Sequence, residues 1–425
     1  MSELRRGYVS GIVLAAVHLH HGIQVMNARV RITMLAGPLV IAGVFAGVSV
    51  LAQAPVTISI GAARVLDGRG GVLENAVIEI AGSKITKIHQ RSGPVTYDLG
   101  NATVLPGLID VHVHFIAGAE SDGPAELRAE HSAELWQKNF RATLMAGFTT
   151  VQSVGDPADR PLRDAIAAGF IIGPRLLTSL GQIHPGNRSP DQLRADVRKL
   201  KFEGADVIKL YGSQSGNACA TSSVTLEQMA AVCGEARIQG LRCVVHAHPP
   251  DAIMNAVKAG ATQIEHGGCV NDASLKAMAD AGVLFDPTMS VAPMRIEQKD
   301  ELIRIDPRWA QRIAELEDVI PKKKVAFQKA LAAGLRMPNG SDIGLRQGEN
   351  ALEIILRVEA GQKPMDAIIG ATSLAAESLG LGKRIGVIAP GYEADIIAVA
   401  GSPLEDISTL RNVTFVMKGG QIYKH

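Results

Sequence analysis

Val104-Leu105-Pro106-Gly107-Leu108-Ile109-Asp110-Val111-His112-Val113-His114 is an apolar run that closes on two histidines one residue apart. Side chains in a strand alternate faces, so His112 and His114 point the same way where such a strand leaves a core. That geometry can present two imidazoles to one metal ion. Alone, a His-X-His pair is equally at home on the surface, and the rest of the chain decides its meaning.

Further runs end in the same manner. Val207-Ile208-Lys209-Leu210-Tyr211 carries a lysine on the face of Val207 and Tyr211, and Cys243-Val244-Val245-His246-Ala247-His248 ends in histidines. Ala261-Thr262-Gln263-Ile264-Glu265-His266 ends in another, and Asn339-Gly340-Ser341-Asp342 offers a carboxylate. Ionisable groups seldom gather at the ends of apolar strands unless they are paired or bound to metal.

A second regularity links these runs. Seven helical stretches stop at a glycine, Gly147, Gly169, Gly204, Gly240, Gly260, Gly282 and Gly334, and an apolar run follows, at Thr149, Ile171, Val207, Val244, Ile264, Val283 and Leu335. Glycine suits the left-handed residue just past a helix, so each recurrence reads as a helix stop and a strand start. With the opening run this makes eight strand–helix units, the pattern of a parallel, α/β, (β/α)8 TIM barrel, here over residues 104–383. The ligand candidates then fall on strands one, four, five, six and eight, all at the rim where barrel active sites lie. Residues 55–103 and 384–425 instead show short, mostly alternating runs broken by glycine-containing turns, and are expected to build one small β-sandwich domain flanking the barrel.

A formal net charge of +1 and an aromatic content of 4% exclude a nucleic-acid partner. Lys322-Lys323-Lys324 reads as a solvated helix face. Residues 34–52 hold no charge, follow Arg29 and Arg31, and run into Ala52-Gln53-Ala54, a small-X-small cleavage pattern. Residues 1–54 therefore read as an N-terminal extension with a signal peptide, and the start is expected at Met26 or Met34. The protein is then exported, periplasmic or secreted; a membrane anchor facing the periplasm is the alternative. Export would permit disulfides among Cys219, Cys233, Cys243 and Cys269, for which three pairings exist. With no Gly-X-Ser-X-Gly elbow and no cysteine in a nucleophile context, an activated water is the simplest nucleophile.

Over residues 58–423 the chain resembles the amidohydrolase superfamily. The segments that carry the likeness are residues 104–114, Ala146-Gly147-Phe148-Thr149-Thr150-Val151, Ala205-Asp206-Val207-Ile208-Lys209, His246-Ala247-His248, Ile264-Glu265-His266-Gly267, Gly340-Ser341-Asp342 and Pro390-Gly391-Tyr392-Glu393-Ala394-Asp395. It is most similar to the binuclear, lysine-bridged branch, with prolidase-like Xaa-dipeptidases and ochratoxin-degrading amidohydrolases. The resemblance implies two divalent metal ions: His112, His114 and Asp342 hold one, and His246 and His266 the other. Lys209 bridges them as a CO2-derived carbamate. An ammonium facing two dications would be repelled, and the only sequence-local partner for an uncarboxylated Lys209, Asp206, lies on the opposite strand face. Zinc is favoured by the mixed imidazole and oxygen donors. Asp342 is the expected catalytic residue, taking a proton from a metal-bridging hydroxide and passing it to the departing amine. Tyr211, His248 and His184 are expected substrate contacts, and Arg188, Arg295 and Arg304 are candidates for holding a substrate carboxylate.

The expected function is a metal-dependent hydrolase of a small-molecule amide, either a dipeptide or an N-acyl amino acid, and a homo-oligomer is left open. The alternatives are a cyclic-amide hydrolase like imidazolonepropionase, which lacks the bridging lysine, and a barrel scaffold without chemistry.

Overall fold

The computed structural model describes residues 57–115, 132–214, 219, 222–344 and 346–425, so the expected leader or anchor and the start residue lie outside the described part. Sixteen strands are present among the described residues: β1 (Thr57–Leu66), β2 (Val72–Ala81), β3 (Lys84–Gln90), β4 (Tyr97–Asp98), β5 (Thr103–Pro106), β6 (Leu108–Val113), β7 (Phe148–Ser153), β8 (Arg175–Thr178), β9 (Gln182–Ile183), β10 (Val207–Tyr211), β11 (Arg242–Ala247), β12 (Gln263–His266), β13 (Leu284–Asp286), β14 (Ile396–Val399), β15 (Val413–Lys418) and β16 (Gln421–Lys424).

The opening run is two strands. β5 joins the flanking sheet, antiparallel to β14 and parallel to β1, whereas β6 pairs in parallel with β7. The chain turns at Gly107, whose N–H is engaged by Asp395 O at 2.8 Å and whose missing side chain makes room for Thr149. Residues 103–106 thus belong to the mixed sheet, and the parallel strands begin at Leu108. Strands from residues 57–106 and 396–424 form one eight-stranded sheet in the order β16-β15-β14-β5-β1-β2-β3, with β4 on β1.

The parallel strands form two sheets, β6-β7-β8 and β9-β10-β11-β12-β13. All seven helix-stop glycines adopt positive φ, between 65° and 95°. The intervening helices start where the sequence places caps: Ser189, Thr225 and Asn271 each form a reciprocal capping box with the residue three positions on. β6, β7 and β12 are buried on both faces, as strands covered by helices must be.

Two strands depart from expectation. Strand three begins at Arg175 rather than Ile171, because the chain turns through residues 169–174 first. It then breaks at Leu180, which has φ of 56°, so β8 pairs with β7 while β9 pairs with β10. The eighth segment, residues 335–343, makes only the isolated bridge Val113–Ile343. Pro338 lacks an N–H for a ladder, and Asp342 turns out of the extended region at φ of 54°. The segment is nonetheless held on both sides: Phe285 N donates to Arg336 O at 3.0 Å, and Val111 N to Asn339 O at 2.8 Å.

Arg175 clips the flanking sheet to the parallel strands. Its guanidinium donates to Asp395 Oδ2 at 2.7 Å, Glu393 Oε2 at 2.6 Å and Thr150 Oγ1 at 2.6 Å. Arg175→Met leaves the buried Asp395 carboxylate without its cation, and we expect a loss of about 3 kcal/mol, read as a lower urea midpoint at unchanged m-value.

The cysteine pairing, open in the sequence, is Cys219–Cys269 and Cys233–Cys243. No helix among the described residues is long and apolar enough to cross a membrane.

Candidate metal centre

Each expected ligand sits at or just past the C-terminal end of a parallel strand. His112 lies in β6 and His114 one residue beyond it, Lys209 lies in β10, His246 in β11, His266 closes β12, and Asp342 ends the extended eighth segment. His112, His266 and Asp342 bring ligand atoms within 4.8 Å of one another. His114 joins them through Nε2, 3.1 Å from Asp342 Oδ1. His246 is 4.5 Å from His266 between ring centroids and His248 is 5.2 Å from it, so both rings border the cluster.

The protonation pattern suits a cation. Burial, then the Lys209 charge, push His112 well below the usual imidazole range, and burial and neighbouring imidazoles do the same to His266 and His246. Burial likewise takes His248 down to about 3. Neutral imidazoles are the ligand form. His112 Nδ1 lies 3.1 Å from Asp286 Oδ2, so its ring proton is engaged there and bare Nε2 faces Asp342 Oδ1 at 3.4 Å. Asp342 is itself held well below the usual carboxylate range: burial opposes this, but positive charge on its neighbours His112, His114 and Arg295 outweighs it, and a cation shared with the neutral rings would supply that charge in their place. A lone pair facing a carboxylate oxygen across 3.4 Å is repulsive unless a cation shares both. The buried Nδ1 atoms of His114 and His248 also lack partners among the described residues. The donor set therefore fits a divalent metal of the zinc type.

Lys209 is paired otherwise than expected. It is 1% exposed, and its ammonium bonds Glu265, which is fully buried. Asp206, on the opposite face as the spacing requires, pairs with Arg163 at 2.9 Å. Burial raises the Glu265 carboxyl, and Lys209 offsets that. The sequence reading passed over Glu265 because it alternates away from His266 within one strand. Yet it meets Lys209 across β11, and its Oε1 lies 3.4 Å from His112 Nδ1.

Asp286 was missed as well, although it ends β13 as His266 ends β12. Burial, then Glu353, Glu265 and Asp110, push its carboxyl well above the usual range. Lys323 corrects the reading of a solvated basic run. Lys322 and Lys324 are exposed, but Lys323 is 4% exposed and donates to Thr288 O at 2.5 Å and Thr288 Oγ1 at 3.0 Å. Thr288 Oγ1 lies 2.9 Å from His266 Nδ1. These contacts fix the orientation of the ring, and in the tautomer whose Nδ1–H donates to the Thr288 hydroxyl, His266 Nε2 is bare for a cation. Lys323→Met or Thr288→Val is expected to weaken zinc binding about 10- to 100-fold, measured by competition with a chromophoric chelator.

Three of these residues stand in strained backbone: Asp342, His266 and Thr288 have φ of 54°, 70° and 46°. Such conformations cost about 1–3 kcal/mol each and persist where surrounding structure fixes them.

The expected substrate contacts form a stack. Tyr211 lies between His184, 4.0 Å away between ring centroids, and His246, 4.5 Å away. Among the candidate arginines, Arg188 pairs with Asp196 and the His184 carbonyl, Arg304 is exposed, and Arg295 is half-buried with its guanidinium 5.8 Å from the Trp309 ring centroid.

Known proteins share both fold and sequence with this chain. The amidohydrolase family profile matches residues 103–423. The ochratoxinase of Aspergillus niger is 29% identical over 434 aligned positions, covering 88% of this chain and 87% of that protein. The crystal structure of a Xaa-Pro dipeptidase with methionine in its active site superposes with a TM-score of 0.78 at 30% identity, covering 87% of this chain and all of that one. A prolidase complexed with N-methylphosphonate-L-proline superposes with a TM-score of 0.75 at 26% identity, over 87% of this chain and again all of that one. A profile match across three quarters of the sequence, on strands that carry these histidines to one rim, means that the chain belongs to the amidohydrolase family and is a hydrolase of carbon–nitrogen bonds.

Proposed function

We propose that the enzyme cleaves the amide bond of a dipeptide or N-acyl amino acid. The observation that carries this reading is the convergence of buried, neutral imidazoles on the ionised carboxylate of Asp342. It is supported by the likeness to a Xaa-Pro dipeptidase, a prolidase and an ochratoxinase.

His112, His114, His246, His266, Asp342 and a carbamate on Lys209 would hold two divalent ions, zinc favoured. Such ions supply the Lewis acidity that makes water nucleophilic near neutral pH. The rest of the chemistry belongs to the chain. Asp342, ionised at neutral pH, accepts the proton of the attacking water on its carboxylate and delivers it to the departing amine nitrogen, without which the amide anion is too poor a leaving group. Tyr211, its ring clamped between two imidazoles, donates its hydroxyl to the substrate, and His184 and His248 line the same mouth. For the fold, we read the eight parallel segments as one closed barrel over residues 107–383 with the mixed-ends sheet as a separate domain; the hydrogen bonds from residues 335–343 to β13 and β6 support this. Two disulfides support export.

One observation favours a second reading. The Lys209–Glu265 ion pair suits a single-metal centre on His112, His266 and Asp342, as in a cyclic-amide hydrolase. The test is a panel of dipeptides, N-acyl amino acids and cyclic amides, read by amine release or ring opening, with elemental analysis of the same preparation. Turnover of linear amides with two metals per chain supports the first reading. Turnover of cyclic amides alone, with one metal, overturns it.

A further inference from the structure

The chain leaving β10 is laid across the end of β11. Gly212 N donates to His246 O at 2.9 Å, His248 N donates to Ser213 Oγ at 3.2 Å, and the ring Nε2 of His246 lies 3.1 Å from Gln214 O. A carbonyl oxygen only accepts, so Nε2 carries the ring proton in that contact. Nδ1 is then the bare nitrogen of His246, the atom able to take a cation. One peptide carbonyl thus decides which end of this imidazole can be a ligand.

Gln214 is exposed, so burial does not fix its peptide. A covalent bond lies close by. Cys219, five residues on, is joined to Cys269, three residues past His266. β10, β11 and β12 are neighbours in that order, so a bond from the segment after β10 to the segment after β12 crosses the end of β11, where His246 and His248 stand. Cys269 is anchored there too, its N–H donating to His248 O at 3.2 Å. Beyond Cys219 the chain is brought back by Ser222, whose hydroxyl donates to Gly212 O at 2.6 Å and whose N–H donates to Asp251 Oδ2 at 3.0 Å. The other disulfide, Cys233–Cys243, is buried in the core, whereas Cys219 is exposed. Of the two bonds, a thiol reaches only Cys219–Cys269 without unfolding the chain.

We propose that the Cys219–Cys269 disulfide is a positioning strap that holds the Gln214 carbonyl on His246 Nε2 and so fixes the ring in its Nδ1-bare tautomer. With His246 as a ligand, which rests on the two-metal reading above, closing the strap raises the affinity of that side of the rim for a cation. Opening it is thiol–disulfide exchange. A dithiol thiolate attacks Sγ of Cys219 and expels Cys269 as a thiolate; the second dithiol sulfur then displaces Cys219 and departs in a cyclic disulfide. Two electrons and two protons pass to the protein.

The test uses the metal-free full chain in three forms: closed, opened with dithiothreitol and capped with iodoacetamide, and Cys219→Ser/Cys269→Ser. Capping or replacing the thiols keeps them from binding zinc themselves, and either opened form serves alone if the other does not fold. Two-bond 1H–15N spectra of histidine-labelled protein, with the His246 signals assigned by their loss in His246→Gln, should show one fixed Nε2–H tautomer in the closed form. Both opened forms should show an averaged ring. Zinc affinity, measured by competition with a chromophoric chelator, should fall about 10- to 100-fold at one site on opening. A fixed Nε2–H in every form, or an averaged ring in the closed protein, overturns the strap. A bond that only stabilised the fold would give the first of these results, with a lower melting temperature in the opened forms. Averaging on opening with zinc affinity unchanged keeps the strap and removes His246 from the ligand set.

Discussion

Asp342→Asn is expected to lower kcat by about three orders of magnitude while leaving KM within a few-fold of wild type. The substitution keeps the shape of the side chain and the amide N–H of residue 342, which donates to His112 O at 2.8 Å. It removes the one property the reaction requires there, a carboxylate that stays ionised under the imidazoles of His112 and His114 and can take and return a proton. Because Asp342 also contributes a ligand atom, metal content must be measured beside the rate. Full metal content with the rate lost identifies the proton transfer as the missing step. A rate within tenfold of wild type at full metal content would remove Asp342 from the chemistry.

The second large effect lies at Lys209. Lys209→Met leaves the fully buried Glu265 without a cation, and breaking a buried pair from one side costs about 3–5 kcal/mol. Thermal unfolding should show this under either reading of the centre. The double variant Lys209→Met/Glu265→Gln separates them. If the lysine is only the partner of Glu265, neutralising both restores most of the stability and the activity. If it bridges two metals as a carbamate, stability recovers but bound metal falls from two per chain to one or none, and activity stays lost. Dialysis against a chelator belongs to the same experiment. Removing a metal present at about a thousand times its dissociation constant withdraws about 4 kcal/mol of folding free energy, so the apoenzyme should melt several degrees lower and recover with added zinc.

The clustering of the candidate ligands was legible because strand ends follow a simple grammar: apolar alternation, then a polar residue where the strand leaves the core. His112, Lys209, His246 and His266 obey it. Asp342 was legible through its motif rather than its strand, since Pro338 and a positive φ keep that segment out of a ladder. The groups that tune the site were hidden for different reasons. Glu265 shares a strand with the candidate ligand His266 but faces the other way, and only pairing across β11 reveals its contact with Lys209. Lys323 sat in a triplet of lysines, and run composition concealed the helix arithmetic that puts it on one face with Ile320 and Phe327, a residue of the buried core. The split of the opening run at Gly107 was invisible for a third reason. Its cause is Thr149, a residue more than forty positions away, and no local window contains it.

The sheet that joins both ends of the chain also sets an order of events during synthesis. Thr103 Oγ1 donates to Gly401 O across a separation of 298 residues, and β5 cannot gain its β14 neighbour until Ile396–Val399, nearly three hundred residues later, have left the ribosome. Until then Val104 and Leu105 belong to an open edge, the kind of surface on which nascent chains associate wrongly. Yield on refolding should therefore fall steeply with protein concentration, and a chaperone that shields β5 early should help more than one that acts on the finished rim.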